Sequence, residues 1–133
     1  SENRLVIPEI EVDAQIYAGD SSALENGPWR NPKTSTPKRG GNTVIAAHRF
    51  LYTNGPNTFY HLDKVEEGDL ITVFWEGREY VYEVTSIFEV EPTALEIEDN
   101  TEEAILTLYT CAPLWTSEKR LVVRSKLIYP ESL

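Results

Sequence analysis

Ala104-Ile105-Leu106-Thr107-Leu108-Tyr109-Thr110-Cys111, with the return Arg120-Leu121-Val122-Val123-Arg124, decides the fold. Both segments are rich in branched and aromatic residues and alternate in polarity at period two, which predicts β-strands. Eight residues, Ala112 to Lys119, join them, and Pro113 among them lacks a donor for a ladder, so they form a loop. On the first strand Ala104, Leu106 and Leu108 share one face, while Thr107, Tyr109 and Cys111 take the other. On the return, Arg120, Val122 and Arg124 oppose Leu121 and Val123. The only cysteine of the chain thus sits off the leucine face, at a strand end, where a packing cysteine is not expected. If the two strands are neighbours, a thiol and a guanidinium meet at the loop end. A cation there favours thiolate and is able to hold an oxyanion. Taken alone, a strand-end cysteine is more often inert, and its partners must tip the reading.

The totals set bounds. With 133 residues the chain is expected to be one domain, residues 1–133, large enough for a hydrophobic core without staples. One cysteine excludes an internal disulfide framework and a cysteine-based structural zinc site. Twelve basic residues against 22 acidic ones give a net charge of −10, which argues against a nucleic-acid or anionic-membrane partner. No stretch within these residues has the length of a membrane span or the pattern of a signal peptide.

In order, Arg4 to Ile7 is a short strand stopped by Pro8, and Ile10, Val12, Ala14 and Ile16 alternate after it. Ser21 to Glu25 predicts one helical turn capped by Asp20 or Ser21. Gly27 to Gly41, rich in Pro, Gly, Ser, Thr and Lys, reads as a long surface loop with an exposed aromatic, Trp29. Asn42 to His48 reads as a buried strand, and Phe59 to Val65 carries the spacing of a helical turn. Leu70 to Trp75 and Arg78 to Val90 are strands around a tight Glu76-Gly77 hairpin, and Pro92 to Glu103 is a second, acidic loop. Many short strands and no long amphipathic helix predict an all-β barrel or sandwich, mainly antiparallel, and a barrel would remove open edges.

His48 closes one buried strand as Cys111 closes another. An imidazole and a thiol at one rim make the minimal pair for acyl transfer, because imidazole exchanges protons near neutral pH. Arg120 would supply the positive charge a tetrahedral intermediate needs. His61, in the helical-turn segment, reads as structural.

These motifs, in this order, resemble the sortases, the cysteine transpeptidases of the bacterial cell surface. The matching residues are Gly41-Asn42-Thr43-Val44-Ile45-Ala46-Ala47-His48-Arg49, then Leu106-Thr107-Leu108-Tyr109-Thr110-Cys111, then Arg120-Leu121-Val122-Val123. Arg4 to Ile10, Phe59 to Asp63 and Gly68 to Ile71 also look like the family, so the resemblance covers nearly the whole chain. Where the family often has Gly before the histidine, this chain has Ala47, and its loop after Cys111 is short for the type member. The resemblance implies an all-β, eight-stranded sortase-type barrel, mostly antiparallel, with short helical turns. It implies Cys111 as nucleophile, His48 as general acid and base, and Arg120 as the group stabilising the carbonyl or oxyanion. Ala47 and Thr110 would shape the substrate pocket, and Leu114 and Trp115 are candidates to line a groove for the substrate's Leu-Pro. Asn26-Gly27-Pro28-Trp29 only faintly echoes the lid of some subclasses.

The implied reaction cuts a Leu-Pro-any-Thr-Gly-like sorting signal between Thr and Gly through a Cys111 thioester. An amine of a peptidoglycan precursor or a pilin lysine resolves it, so the partners are surface proteins or pilins and no nucleic acid. No cofactor is expected. Calcium, held by acids of the Pro92 to Glu103 loop as in some sortases, is the alternative, because hard cations take several carboxylate oxygens. The implied location is the outer face of the bacterial membrane, with an anchor upstream of Ser1. A cysteine hydrolase that does not transfer, and a non-catalytic β-barrel module of adhesin type, are the competing readings.

Overall fold

A computed structural model describes residues 2–49, 58–112 and 118–131, with the backbone alone for residues 111 and 112. Eight strands are present among them: β1 (Arg4–Ile7), β2 (Val12–Gln15), β3 (Trp29–Arg30), β4 (Asn42–Ala46), β5 (Leu70–Trp75), β6 (Arg78–Val90), β7 (Ile105–Ala112) and β8 (Lys119–Tyr129). The helical pieces among the described residues are short 3-10 turns, including Ser21–Glu25, Leu62–Lys64 and Leu95–Glu98. All eight strands form one curled sheet in the order β2-β1-β5-β6-β8-β7-β4-β3. Its two edges approach each other where Tyr17, just beyond β2, makes a parallel bridge to Trp29 of β3. Tyr17 N–H donates to Pro28 O and Arg30 N–H donates to Tyr17 O at that closure. The all-β, eight-stranded expectation therefore holds.

Alternation drives the curl. On β5, Ile71, Val73 and Trp75 are buried while Leu70 and Phe74 are exposed. Leu5 and Ile7 of β1, Leu106 and Leu108 of β7, and Leu121 and Val123 of β8 join them in one core. Each such side chain contributes about 1.5–3 kcal/mol on burial. The β5–β6 turn uses Glu76 and Gly77, both at positive φ (50° and 83°), as a tight hairpin matching strand twist requires. Asn3 Oδ1 accepts from Glu76 N–H at 2.8 Å and holds this non-glycine residue there. The long β6 shifts register against β8 between Val81 and Tyr82 and between Val84 and Ser86. Such irregularities increase the bend that wraps a long strand around a core.

β4 is buried at every position, as its continuous apolar run predicts. It pairs antiparallel with β3 and parallel with β7. This parallel pairing is an addition to the hairpin topology read from the sequence. The loop expected over Gly27 to Gly41 needs correction, because its first residues form β3. Trp29 pairs with Ala46, is 7% exposed and donates from Nε1 to Gly19 O at 2.8 Å. The exposed aromatic expected there is a structural one: its indole finds apolar neighbours and its one donor finds a carbonyl.

One buried side chain ties β4 to the acidic segment. Asn42 is fully buried, donates from Nδ2 to Ile97 O (3.0 Å) and Asp99 O (2.9 Å), and accepts at Oδ1 from Thr107 Oγ1 (2.7 Å). Asn42→Ala is expected to cost about 2–4 kcal/mol, because it removes three hydrogen bonds and takes from Asp99 O and the buried Thr107 hydroxyl the partner each has here. Urea unfolding of the variant should show the lower midpoint at unchanged slope. Gly41, preceding it, sits at φ +71°, and a Cβ there would lie 2.3 Å from Asn100 Oδ1, the acceptor of Asn42 N–H.

Candidate active site

Backbone register alone brings three of the expected residues to one row. β4 and β7 run parallel from Asn42 opposite Ile105 to Ala46 opposite Tyr109, and Ala47 N–H donates to Tyr109 O at 3.3 Å, extending the ladder. The next residue is His48. Two residues beyond Tyr109 is Cys111, which pairs directly with Arg120 of β8. His48, Cys111 and Arg120 thus lie across three adjacent strands, with the cysteine position in the middle. Neighbouring strands are about 4.8 Å apart, so the row spans on the order of 10 Å. Alternation puts position 111 on the face of Thr107 and Tyr109, and Arg120 on the face of Val122 and Arg124. This is the face opposite Leu106, Leu108, Leu121 and Val123, as the sequence predicts.

His48 is fixed through the backbone around it. Its carbonyl accepts from Phe59 N–H at 2.9 Å. Its neighbour Arg49 donates from Nε to Tyr60 O at 2.9 Å and places Nη2 3.1 Å from Asp63 Oδ1. The chain leaving β4 is therefore clamped while the imidazole stays 39% exposed. His48 Nε2 lies 3.6 Å from Glu25 Oε2, on the turn Ser21–Glu25 that Asp20 caps by accepting from Ser22 N–H. A contact this exposed is worth little to stability.

Arg120 is held differently. Its guanidinium carbon lies 4.7 Å from the centroid of the Tyr109 ring. Among the described residues it makes no ion pair, and its Nη1 is buried without a hydrogen-bond partner. Leaving a buried donor unpaired costs about 1–3 kcal/mol, and none of the described residues meets that cost at this nitrogen.

The remaining expected residues fall elsewhere. Ala47 is part of the core cluster, and Thr110 is 2% exposed on the side of Leu106 and Leu108, its hydroxyl unpaired among the described residues. Both sit behind the row, where they set its packing, rather than in front of it. Leu114 and Trp115 lie outside the described residues. His61 is exposed and packs edge-on against Tyr60 at 4.7 Å, before the turn Leu62–Lys64. Trp29 is built into β3, so it forms no mobile cover. Glu96, Glu98, Asp99, Glu102 and Glu103 do not converge: among the described residues no three His, Cys, Asp or Glu side chains are grouped to hold a metal ion. A polar hollow of about 480 Å³ lined by Lys33, Ser35, Arg39, Asn100 and Glu102 opens at the Asn42 end of β4, away from His48.

Sequence reasoning missed Glu25 and the stacking partner of Arg120. Glu25 carries no signal, since its approach to His48 depends on how the edges of the sheet meet. Tyr109 carried one: it shares the face of Cys111 and lies diagonally across from Arg120.

A family model described as the sortase domain matches residues 5–128. The chain is 31% identical over 141 residues to sortase SrtE1 of Streptomyces coelicolor, covering 93% of this chain and 39% of that protein. It is 26% identical over 129 residues to sortase A of Listeria monocytogenes, covering 97% of this chain and 57% of that protein. Sortase C1 of GBS pilus island 1 superposes with a TM-score of 0.87 at 35% identity, over 98% of this chain and 66% of that one. The chain spans about half the length of the curated relatives it matches.

Proposed function

The chain belongs to the sortase family, and from that premise we propose that it is a transpeptidase working through Cys111, His48 and Arg120. Its substrate is a protein carrying a Leu-Pro-any-Thr-Gly-like signal, cut between Thr and Gly. The thiolate of Cys111 attacks the threonine carbonyl carbon, and the charge that develops on the oxygen is met by Arg120. The intermediate collapses with loss of the glycine nitrogen, which takes a proton from the His48 imidazolium. An incoming amine then attacks the thioester, gives its proton to His48 and releases the thiolate. The acceptor is an amine of a peptidoglycan precursor or a lysine of a pilin, which places the work at the outer face of a bacterial membrane. No helix of the described residues is long and apolar enough to cross a membrane, and an anchor upstream of Ser1 completes this reading. Thiol acyl transfer of this kind needs no cofactor.

The observation that carries the proposal is the buried Nη1 of Arg120, unpartnered among the described residues and one strand from Cys111 on the same rung. A buried donor without an acceptor calls for an explanation, and an arriving oxyanion supplies one here.

The test is mass spectrometry of wild type and Cys111→Ala with a panel of Leu-Pro-any-Thr-Gly peptides and added amines. The expected result is an adduct on Cys111 that resolves into an amine-linked peptide, absent from the variant. Release of acid alone, with every amine tried, would make the chain a hydrolase. An equal product yield from Cys111→Ala would overturn the assignment of the nucleophile.

A further inference from the structure

The row His48, Cys111, Arg120 leaves open what holds Arg120 at the carbonyl. A guanidinium is carried on a long side chain with several rotatable bonds, and in most sites a carboxylate fixes it. Here none does among the described residues. Its closest described partner is the face of Tyr109, 4.7 Å away, on the strand paired with its own. Tyr109 is in turn restrained from the far side. Its hydroxyl donates a long hydrogen bond, 3.4 Å, to Glu98 Oε2. Glu98 lies between Ile97 and Asp99, whose carbonyls are both bound by Asn42 Nδ2, and Ile97 O accepts as well from Arg124 Nη2 at 3.0 Å. The segment carrying Glu98 is thus tied to β4 and β8 on the face that bears the row.

We infer that Tyr109 is a positioning residue for this site: its ring is the platform that aims the guanidinium of Arg120 at the acyl carbonyl, and Glu98 steadies the ring. The inference rests on the role of Arg120 proposed above. The aromatic face does what a carboxylate would do for orientation but leaves the charge of Arg120 unneutralised. A carboxylate in its place would compete with the oxyanion for the same hydrogens. The arrangement suits a cation that must be rigid yet available.

The platform predicts a graded series read as the rate of thioester formation. Tyr109→Phe keeps the ring and loses the hydroxyl with its bond to Glu98, so it should stay within about threefold of wild type. Tyr109→Leu removes the ring and should slow acylation roughly tenfold, with the peptide KM little changed. In the Arg120→Ala background the same Tyr109→Leu change should cost nothing more, because no guanidinium is left to aim. A purely structural tyrosine would give equal losses in both backgrounds, and that additivity overturns the inference while leaving the reading of the site intact.

An independent readout needs no turnover. The Arg120 Nε–H resonance should be shifted upfield by the ring in wild type and in Tyr109→Phe, and should return toward the ordinary arginine position in Tyr109→Leu. An unshifted resonance in wild type overturns the platform. A wild-type chain that forms no thioester with any peptide overturns the reading of the site and this inference with it, so the two failures are told apart.

Discussion

His48→Ala is expected to lower the rate of transfer by about 10²- to 10⁴-fold, the usual contribution of a positioned acid–base group. The loss should fall on both halves of the reaction, since in the proposed mechanism the same imidazole protonates the leaving nitrogen and takes the proton of the incoming amine. Stability should barely change. The side chain is 39% exposed, and its ionic contact among the described residues is the 3.6 Å approach of Glu25, itself 73% exposed. An exposed pair of this kind is worth less than about 1 kcal/mol. The measurement that separates chemistry from folding is alkylation of Cys111 by iodoacetamide across pH. The profile should differ between wild type and His48→Ala if the two groups act as a pair. Superimposable profiles would break the pairing even if the variant were inactive.

Arg120→Ala should cost about 10²- to 10³-fold in kcat, the magnitude found when one donor to a developing oxyanion is removed. Arg120→Lys should recover only part of this, because an ammonium offers neither the planar fork nor the flat surface that lies against Tyr109. The stability of Arg120→Ala is the more telling quantity. Removing a structural arginine strands its partners, whereas Arg120→Ala breaks no hydrogen bond or ion pair to the described residues and takes away a buried donor that has no partner among them. The variant should therefore unfold at the same urea concentration as wild type or a higher one. A large loss of activity joined to no loss of stability is the signature of a group kept for function. A clear drop in the midpoint would show that Arg120 supports the fold.

How legible the molecule was depends on the range of the interactions involved. The Glu76-Gly77 hairpin, the strands on either side of it and the Asp20-capped turn were readable because neighbours in sequence decide them. The face assignment of Thr107, Tyr109 and Cys111 was readable for the same reason: period two is a local property, and the regular β7–β8 register preserves it. β3 was hidden. Two residues inside a Pro- and Gly-rich stretch become a strand only because β4 lies beside them and Tyr17 reaches them from another part of the chain. The approach of Glu25 to His48 and the ties from Asn42 to Ile97 and Asp99 were equally invisible, since each joins residues far apart in the chain. Ala47 and Thr110 show the limit of a motif. Adjacency in sequence to His48 and Cys111 suggests contact with a ligand, while strand alternation turns both toward the core.

The parallel pairing of β4 with β7 has a kinetic consequence. Antiparallel neighbours such as β5 and β6 need only a tight turn to find each other, but Asn42 finds Ile105 only after most of the intervening chain has been gathered in. Closing so long a loop is costly in entropy, and contacts of this kind form late on the path to the native state. The backbone positions of His48 and Cys111 are brought side by side by that pairing. During refolding, catalytic competence should therefore return with the last phase, after the hairpins have recovered their ellipticity.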